Sequence, residues 1–269
     1  MNLLFCINDN YVDQFKVTLY SLIANTSVKD IKVFIMQNPV LARNVEIKQF
    51  CQKIGATYHP IVVDSDSFQN VPITDRYPET IYYRLLAQDY LPEDLDRILY
   101  LDADILCINE VKALYTIDMG QAPYAAASHT DDSELTTAVN RWRLGNYDSA
   151  SYYNSGVLLM NLKVLRDLVS HQEIMAYIND MGNRLFLPDQ DILTALYGHN
   201  VINIPDEIYN YDTRYQLYYA AKSKGEWDLD WVMAHTVFLH FCGRIKPWKS
   251  KNSGIYSSLY KHYAHLANN

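Results

Sequence analysis

One short segment constrains this chain more than any other: a strongly apolar run that ends abruptly in two carboxylates. Arg97-Ile-Leu-Tyr-Leu101 has the β-branched and aromatic content of a buried strand, Asp102 and Asp104 follow it, and Ile105-Leu-Cys-Ile108 is apolar again. Carboxylates in such surroundings need a partner, because an unpaired charge is costly to bury. The segment therefore predicts a buried strand that delivers a metal site; a pair of carboxylates that caps backbone amides is the structural alternative.

The composition is that of a soluble globular protein with a sizeable core. The chain has 269 residues, of which 49% are hydrophobic and 20% are charged, and its formal net charge is −8. That charge argues against a nucleic-acid partner, since proteins that coat nucleic acid usually carry a basic face. We find no cleavable leader and no uninterrupted apolar run of about 18 residues, so we expect neither secretion nor membrane spanning, and a cytoplasmic location.

Apolar segments of strand length alternate with segments of helical periodicity along the chain. The pattern predicts strands at residues 1–7, 31–36, 57–63, 97–101, 122–128 and 155–161 and near 201 and 237, and helices at 11–25, 41–54, 78–91, 162–181 and 188–197. This alternation is typical of a doubly wound α/β domain with a mostly parallel sheet. It places the two carboxylates at the carboxyl end of a strand, where open α/β sheets hold their ligands.

Asp-x-Asp by itself is a weak signal, because the pattern occurs five times in this sequence. Polar neighbours indicate turn or cap residues at Asp94/Asp96 and Asp228/Asp230, and an exposed loop at Asp64/Asp66. Asp189/Asp191 follows a proline and is typical of a helix start. Only the pair Asp102/Asp104 is apolar on both sides, and two carboxylates of this kind favour Mg or Mn.

A second strand end carries candidate ligands near the end of the chain. Val237-Phe-Leu239 is followed by His240-Phe-Cys-Gly243 and then by Lys246-Pro-Trp248. A neutral imidazole from His240 would shift the preference of the site toward Mn, and Lys246 could hold phosphate. A satisfied core histidine and a solvated lysine are the structural alternatives.

Six motifs in order resemble those of glycosyltransferase family 8. They are Phe5-Cys-Ile-Asn8-Asp-Asn10-Tyr11, Tyr83-Arg84-Leu85, Asp102-Ala-Asp104, Tyr153-Asn154-Ser155-Gly156, Pro188-Asp189-Gln190-Asp191 and His240-Phe-Cys-Gly243-x-x-Lys246-Pro-Trp248. The resemblance covers residues 1–248 and is greatest to bacterial galactosyl- and glucosyltransferases of lipopolysaccharide and other surface glycans, with glycogenin a more distant relative. It implies a GT-A fold for residues 1–248, a Rossmann-like mixed sheet flanked by helices, and leaves 249–269 as a basic and aromatic tail.

The resemblance implies a retaining enzyme that transfers glucose or galactose from a UDP-sugar to a glycan or glycolipid acceptor. Asp102, Asp104 and His240 would hold Mn²⁺, with Mg²⁺ as an alternative, on the donor diphosphate. Two other functions stay open. A sugar-nucleotide nucleotidyltransferase usually has a glycine-rich basic loop after the first strand, which Asn8-Asp-Asn-Tyr11 does not provide; an inactive carbohydrate-binding protein would suit the 23 tyrosines.

The resemblance also implies how the nucleotide is bound. Cys6, Asn8, Asn10 and Tyr11 would surround uracil and ribose, with Tyr11 stacking on the base. The family commonly has an acidic residue where Asn8 stands. From the residues alone, Asn8 or Asn10 is equally a helix N-cap, and Tyr11 a surface aromatic.

The rest of the implied donor site is spread along the chain. Its members are Arg84, Asp102, Ala103, Asn154, Ser155, Asp189, Gln190, Gly243 and Lys246. Arg84 lies in an apolar segment and needs an anionic partner, either the donor or a carboxylate near the metal. By resemblance, Asp189 binds donor-sugar hydroxyls and Gln190 lies nearest the reacting face, so these two are the catalytic candidates.

Two segments have predicted roles outside the donor site. Residues 129–150 are polar and irregular, and we predict a loop that closes over the donor. The tail beyond Lys246 fits peripheral contact with the inner face of a membrane or a packed terminal helix equally well. Acceptor identity and oligomeric state have no signal in the sequence.

Overall fold

The structure, a computed structural model, describes residues 1–64, 67–68, 71–73, 78–128, 151–249 and 254–269. Its strands alternate with helices over residues 1–101, as the sequence predicts. The strands are β1 Asn2–Cys6, β2 Ile31–Gln37, β3 Ala56–Val62, β4 Arg97–Leu101, β5 Ile105–Cys107, β6 Tyr124–Ser128, β7 Tyr153–Asn161, β8 Val201–Ile204, β9 Tyr211–Asp212 and β10 Phe238–His240.

The described α-helices flank the strands, and short 3₁₀ turns join several of them. The helices are α1 Val12–Asn25, α2 Asn44–Lys53, α3 Thr80–Tyr83, α4 Ala87–Tyr90, α5 Lys112–Tyr115, α6 Leu162–Leu168, α7 His171–Met181, α8 Pro188–Tyr197, α9 Asp206–Tyr209, α10 Gln216–Lys222, α11 Leu229–His235 and α12 Ile255–Asn268. The 3₁₀ turns are Asp9–Tyr11, Arg84–Leu86, Gly182–Arg184, Gly198–Asn200 and Thr213–Tyr215.

A seven-stranded sheet in the order β3-β2-β1-β4-β7-β6-β8 forms the centre of the fold. β3, β2, β1 and β4 run parallel, and so do β6 and β8, whereas β7 is antiparallel to both of its neighbours. β5, which follows β4 in the chain, belongs to a second sheet with the order β5-β10-β9. The sheet is mixed and mostly parallel with helices around it, which is the predicted GT-A architecture.

Each central strand supplies side chains to two apolar cores, one on each face of the large sheet. In β1, Leu3 and Phe5 face the core that includes Phe15 of α1, whereas Leu4 faces the opposite core with Tyr100 and Leu158. This explains why β1 and β4 have nearly unbroken apolar sequences instead of alternating ones. β4 is packed on both faces by these cores, which positions its carboxyl end.

The terminal segment packs as a helix against one of the two apolar cores. Tyr256 and Tyr260 of α12 are buried in the same core as α1, and the amide of Asn25 donates to the hydroxyl of Tyr263 at 2.8 Å. A packed terminal helix was one of the two alternatives for these residues. None of the helices in the described ranges is long and apolar enough to cross a membrane.

Two predicted helices are interrupted in the structure. The segment predicted as one helix over 162–181 forms α6 and α7, because Val169 and Ser170 adopt extended backbone and the Ser170 hydroxyl caps α7 by accepting from the Glu173 N–H. The helix predicted over 78–91 tightens into a 3₁₀ turn at Arg84–Leu86, which buries all three of its side chains. Burial of these three side chains outweighs continuous helical periodicity in the second segment, whereas the Ser170 cap begins a new helix in the first.

Candidate active site

The two central carboxylates lie where the chain passes from one sheet to the other. β4 ends at Leu101, and the Asp102 N–H donates to the Gly156 carbonyl of β7 at 2.8 Å. β5 begins at Ile105 and belongs to the second sheet. The Asp104 carbonyl accepts from the Phe241 N–H at 3.0 Å, so the turn between the strands is held from both sides.

Strand pairing in the second sheet places His240 beside the carboxylates. β10 runs antiparallel to β5, with His240 opposite Ile105. The imidazole Nε2 lies 3.3 Å from Asp104 Oδ1 and 3.8 Å from Asp102 Oδ2. Ligand atoms of all three residues lie within 4.8 Å of one another. The long-range meeting predicted for these residues is therefore present in the structure.

We call Asp102, Asp104 and His240 the ligand cluster. In each of its two carboxylates, one oxygen pairs with a cationic side chain of the protein and the other faces His240. Asp102 Oδ1 accepts from the Tyr100 hydroxyl at 2.5 Å and pairs with Arg84 at 3.0 Å, and Asp104 Oδ2 pairs with Lys246. The other oxygens, Asp102 Oδ2 and Asp104 Oδ1, face His240. Two carboxylate oxygens and one imidazole nitrogen fit a borderline divalent cation such as Mn²⁺.

Gly156 provides the space in which the cluster forms. A Cβ at this position would lie 2.4 Å from His240 Cε1 and 2.8 Å from Asp102 Oδ2. Both distances are too short for any real side chain. The glycine of the Asn154-Ser-Gly156 motif therefore has a steric role at the ligand cluster, which adds to the close backbone approach expected from the sequence.

Arg84 connects the ligand cluster with the candidate sugar site. It is 5% exposed, and Nη1 lies 3.0 Å from Asp102 Oδ1, 3.2 Å from Asp189 Oδ2 and 3.0 Å from the Ser155 carbonyl. Its guanidinium also stacks 4.2 Å from the centre of the Tyr100 ring. The anionic partners expected for Arg84 are thus two carboxylates of the protein itself.

Asp189 is buried at the start of α8 and is oriented by two partners. Its Oδ2 accepts from the Ser155 hydroxyl at 2.5 Å and pairs with Arg84. Burial raises the pKa of Asp189 above its usual value, although Arg84 acts in the opposite direction. Gln190 follows it on the first turn of α8 and faces the same cavity.

The charges of the cluster reinforce one another. Burial acts against ionisation of Asp104, but His240 and Lys246 outweigh it and hold its pKa below the usual range. Burial would lower the pKa of His240, but its contacts with Cys242 and Asp104 outweigh this and raise the pKa well above 6.5. His240 and Lys246 thus favour the ionised form of the Asp104 carboxylate.

A cavity of about 570 Å³ opens at this edge of the sheet. Among the residues that line it are Cys6, Asn8, Tyr11, Arg84, Asp102, Ala103, Asp104, Asn154, Ser155, Asp189, Gln190, His240, Gly243 and Lys246. The structure thus brings together every predicted site residue except Asn10. Asn10 lies on the exposed turn before α1, and its N–H donates to Asn8 Oδ1 at 3.1 Å.

The nucleotide-binding candidates lie on the side of the cavity formed by the end of β1. Asn8 caps the 3₁₀ turn, which confirms the structural interpretation, and it also lines the cavity, so its role in nucleotide binding stays a prediction. Tyr11 is 39% exposed, and burial of part of its ring raises the pKa of its phenol, against the influence of nearby Lys246. An exposed ring beside a cationic group is suited to stack on a base that carries a diphosphate.

The sequence analysis missed one wall of the cavity, formed by Asp212, Arg214 and Tyr215. Asp212 is fully buried at the end of β9 and accepts from Arg214 through both carboxylate oxygens, with Oδ1 at 3.0 Å from Nε and Oδ2 at 2.6 Å from Nη2. The local sequence Tyr-Asp-Thr-Arg gives little warning of this, since β9 has only two residues. Proximity to the site arises from its parallel pairing with β10.

Some predicted features lie outside the described residues. These are the closing loop at 129–150 and Asp66 of the first Asp-x-Asp pair. Among the remaining pairs, Asp228 caps α11 by accepting from the Trp231 N–H at 2.8 Å, as its polar surroundings indicate. Asp191 is fully buried and accepts from the Phe186 N–H at 2.8 Å, which fixes the entry into α8.

Comparison with known proteins gives one family for nearly the whole chain. The sequence profile described as Glycosyl transferase family 8 matches residues 2–252. A lipopolysaccharide 1,2-glucosyltransferase of Escherichia coli is 28% identical over 256 residues, which are 92% of this chain and 73% of the relative. A lipopolysaccharide 1,3-galactosyltransferase of Salmonella typhimurium is 28% identical over 191 residues, which are 70% of this chain and 55% of the relative.

A similar fold occurs among solved structures. The galactosyltransferase LgtC, in complex with donor and acceptor sugar analogs, superposes with a TM-score of 0.81 at 24% sequence identity. The superposition covers 99% of this chain and 96% of that one. At this identity the likeness supports the fold.

Proposed function

The chain belongs to glycosyltransferase family 8, and from this premise we propose that it transfers glucose or galactose from a UDP-sugar to a glycan or glycolipid acceptor, with retention of anomeric configuration. The observation that carries the proposal is the convergence of Asp102, Asp104 and His240 beside Lys246, in one cavity at the carboxyl edge of the sheet. A sugar nucleotide brings a diphosphate, and a divalent cation together with Lys246 would neutralise its charge.

The cation site accounts for the leaving group. Asp102 Oδ2, Asp104 Oδ1 and His240 Nε2 would hold Mn²⁺, and a bound cation neutralises the diphosphate and stabilises the charge that develops on departing UDP. Lys246 already contacts Asp104 and the Phe241 carbonyl, so its ammonium is fixed next to that position. No protonated carboxylic acid is then needed on the leaving side.

The nucleoside would lie along the end of β1. Tyr11 offers an exposed ring for the uracil, and Asn8 and Cys6 offer polar edges within the same cavity. The assignment of Asn10 to this set stays a prediction, supported by its place beside Asn8. Ala103 has no side-chain group that could interfere with a phosphate approaching the backbone of the turn.

The donor sugar would lie between Arg84, Asn154 and Asp189. The contacts of Asp189 with Arg84 and Ser155 hold its carboxylate in a fixed orientation, which suits hydrogen bonds to sugar hydroxyls better than attack on carbon. Gly243 has a φ of +79°, and together with Lys246 it lines the same cavity, where the diphosphate would pass.

Retention without a free carboxylate nucleophile favours attack from the face that the leaving group occupies. The acceptor oxygen would bond to the anomeric carbon as the bond from that carbon to the diphosphate oxygen breaks. The hydroxyl proton passes to the departing phosphate oxygen, so no separate base is consumed. Gln190, next to Asp189 on the first turn of α8, would stabilise the positive charge on the sugar through its amide oxygen.

The two sugars stay open because the relatives are glucosyl- and galactosyltransferases. A direct test measures UDP release from UDP-glucose and UDP-galactose, with and without Mn²⁺, and then repeats the better donor with candidate oligosaccharide acceptors. We expect slow Mn²⁺-dependent hydrolysis that becomes faster with the correct acceptor. Absence of UDP release together with absence of Mn²⁺-enhanced UDP binding would contradict the proposal.

The stereochemical part has its own test. The product should carry the same anomeric configuration as the donor, which is read from the coupling constant of its anomeric proton by NMR. An inverted product would refute same-face attack and leave the transferase assignment standing.

A further inference from the structure

Asn210 is a buried amide that lies behind the ligand cluster and outside the cavity lining. It follows α9, precedes β9 and is 0% exposed. Its side chain makes two hydrogen bonds, one to Asn154 at 2.9 Å and one to His240 Nδ1 at 2.8 Å. It therefore bridges a candidate sugar-binding residue and a candidate metal ligand, and its own side chain lines no part of the cavity.

The direction of these hydrogen bonds follows from one backbone N–H. The Gly156 N–H donates to the Asn154 side chain at 2.9 Å. A backbone N–H can only donate, so the atom that it meets must be the Asn154 amide oxygen rather than the amide nitrogen. The orientation of the Asn154 amide is therefore fixed by this hydrogen bond.

The same argument extends to Asn210. The Asn154 oxygen accepts only, so the end of the Asn210 amide that lies 2.9 Å from it must be the NH₂ group. The Asn210 oxygen is then the end that lies 2.8 Å from His240 Nδ1. An amide oxygen also accepts only, so Nδ1 must carry a proton.

The tautomer of His240 follows. With the proton on Nδ1, the lone pair of the neutral imidazole is on Nε2, which is the atom that faces Asp102 Oδ2 and Asp104 Oδ1. The neighbouring Cys242 thiol can donate or accept, so it does not decide between the tautomers. His240 is 3% exposed and Asn154 is 8% exposed, so water competes little with these bonds.

We propose that Asn210 is a positioning residue, which holds His240 in the one tautomer and ring orientation able to offer Nε2 to the cation. Asn210 is itself oriented by its hydrogen bond to Asn154, which accepts from the Gly156 N–H. The proposal rests on the metal site of the proposed function. Partners of this kind behind a ligating histidine typically change metal affinity by about 10- to 100-fold when they are removed.

We call the chain of hydrogen bonds from the Gly156 N–H through Asn154 and Asn210 to His240 the relay. It connects the two halves of the donor site, which are the candidate sugar site and the candidate cation site. Asn154 is the residue that we assign to the donor sugar, and its oxygen accepts from both Gly156 and Asn210. A displacement of Asn154 would therefore be transmitted through one buried amide to a ligand of the cation. Since both asparagines are buried, this contact can keep the two halves in register.

The test compares two substitutions at one position. Asn210→Leu keeps the branching of the side-chain heavy atoms and cannot accept from Nδ1. We therefore expect Mn²⁺ affinity, measured with UDP present by electron paramagnetic resonance of free Mn²⁺, to fall by about 10- to 100-fold. Asn210→Asp still accepts from Nδ1 but cannot donate to Asn154, so we expect its Mn²⁺ affinity to lie between that of Asn210→Leu and that of wild type. A purely structural role predicts the reverse order, because the aspartate buries a new charge.

A control separates the relay from the loss of any buried amide. Gln37 is fully buried, donates to Tyr58 at 3.2 Å and accepts from the Leu41 N–H at 2.7 Å, away from the cavity. Gln37→Leu should destabilise the fold, as judged by thermal unfolding, and leave Mn²⁺ affinity unchanged.

A second measurement uses the wild-type protein, so it does not depend on the folding of a variant. In protein loaded with Mg²⁺ and UDP, nitrogen-15 NMR of the His240 ring should show a slowly exchanging proton on Nδ1, with His240→Gln identifying the signal. A proton on Nε2, or equal loss of Mn²⁺ affinity in both Asn210 variants, would overturn the proposal. Wild-type protein that binds Mn²⁺ and transfers no sugar would instead contradict the proposed function alone.

Discussion

Gly156 is the single residue whose replacement should affect the ligand cluster most directly. In Gly156→Ala, the new Cβ meets His240 Cε1 at 2.4 Å and Asp102 Oδ2 at 2.8 Å, so one of these ligands must move. We expect Mn²⁺ affinity in the presence of UDP to fall by more than about tenfold, the scale at which displaced ligands act. Titration calorimetry with Mn²⁺ and UDP measures it.

The control for this prediction is Gly120→Ala. Gly120 has a φ of +48°, and a Cβ there meets nothing within 4 Å, so the substitution strains the backbone without a steric clash. It should cost about 1 kcal/mol of stability and leave Mn²⁺ affinity unchanged. Equal Mn²⁺ affinity in Gly156→Ala and wild type would contradict the steric role of Gly156.

Asp104 is the candidate ligand whose carboxylate faces both His240 and Lys246. Asp104→Asn keeps the shape of the side chain and removes the negative charge that faces His240 and Lys246. We expect loss of Mn²⁺-dependent UDP binding by at least about tenfold, with a circular dichroism spectrum near that of wild type. Asp94→Asn, at an exposed turn, is the matched control and should bind as wild type does.

At the scale of secondary-structure elements, the strand ends were predictable and their meeting was predictable only through the resemblance. The apolar runs before Asp102 and His240 mark β4 and β10, because a buried strand needs such residues. Their proximity depends on the antiparallel pairing of β5 with β10, which joins residues more than 130 positions apart. No local pattern encodes a contact of that separation.

Sequence-based prediction also misses three residues near the site whose position depends on long-range strand pairing. They are Asn210, Asp212 and Arg214. They lie in and around β9, a strand of two residues whose sequence has no periodicity to detect. Their roles appear only when parallel pairing with β10 places them beside His240. The break between α6 and α7 has a different cause, since the apolar spacing continues through Ser170 while its hydroxyl caps a new helix.

Glu110 gives a prediction about how two elements are joined. It accepts from the Thr26 hydroxyl and the Ser27 N–H after α1, and from the Lys112 N–H at the start of α5. Partial burial opposes ionisation, but the hydrogen bonds from Ser27 and Thr26 outweigh it and lower the pKa of Glu110 to about 2. A depressed pKa in the folded state means that the charged carboxylate stabilises the fold.

The sign of the pH dependence follows. The stabilisation by Glu110 is fully present above its unfolded value of 4.5 and is lost as the pH falls toward about 2. Glu110→Gln should therefore lower the free energy of unfolding at pH 7, and the difference from wild type should shrink between pH 4.5 and pH 2. Urea unfolding at several pH values measures this, and a difference that stays constant across the range would refute it.

At the scale of the whole molecule, the candidate site joins residues from nearly the full length of the chain. Cys6 and Tyr11 come from the first strand and turn, Arg84 and Asp102 from the middle, and His240 from the second sheet. Filling such a site should stabilise the fold as one unit, because the ligand binds only when all of these segments are in place.

This gives a prediction for thermal unfolding. At about 100 times the dissociation constant, a ligand adds about 2.7 kcal/mol, which for a chain of this size raises Tm by roughly 5–10 °C. We expect this rise when Mn²⁺ and UDP are added together, and a much smaller one with UDP alone, because the diphosphate then faces Asp102 and Asp104 without a cation. Differential scanning calorimetry measures the four conditions of protein alone, Mn²⁺, UDP and both. In Asp104→Asn, the additional rise in Tm that Mn²⁺ gives should be lost. Equal rises in Tm with UDP alone and with UDP plus Mn²⁺ in the wild-type protein would mean that UDP binds without the cation site, which contradicts this prediction.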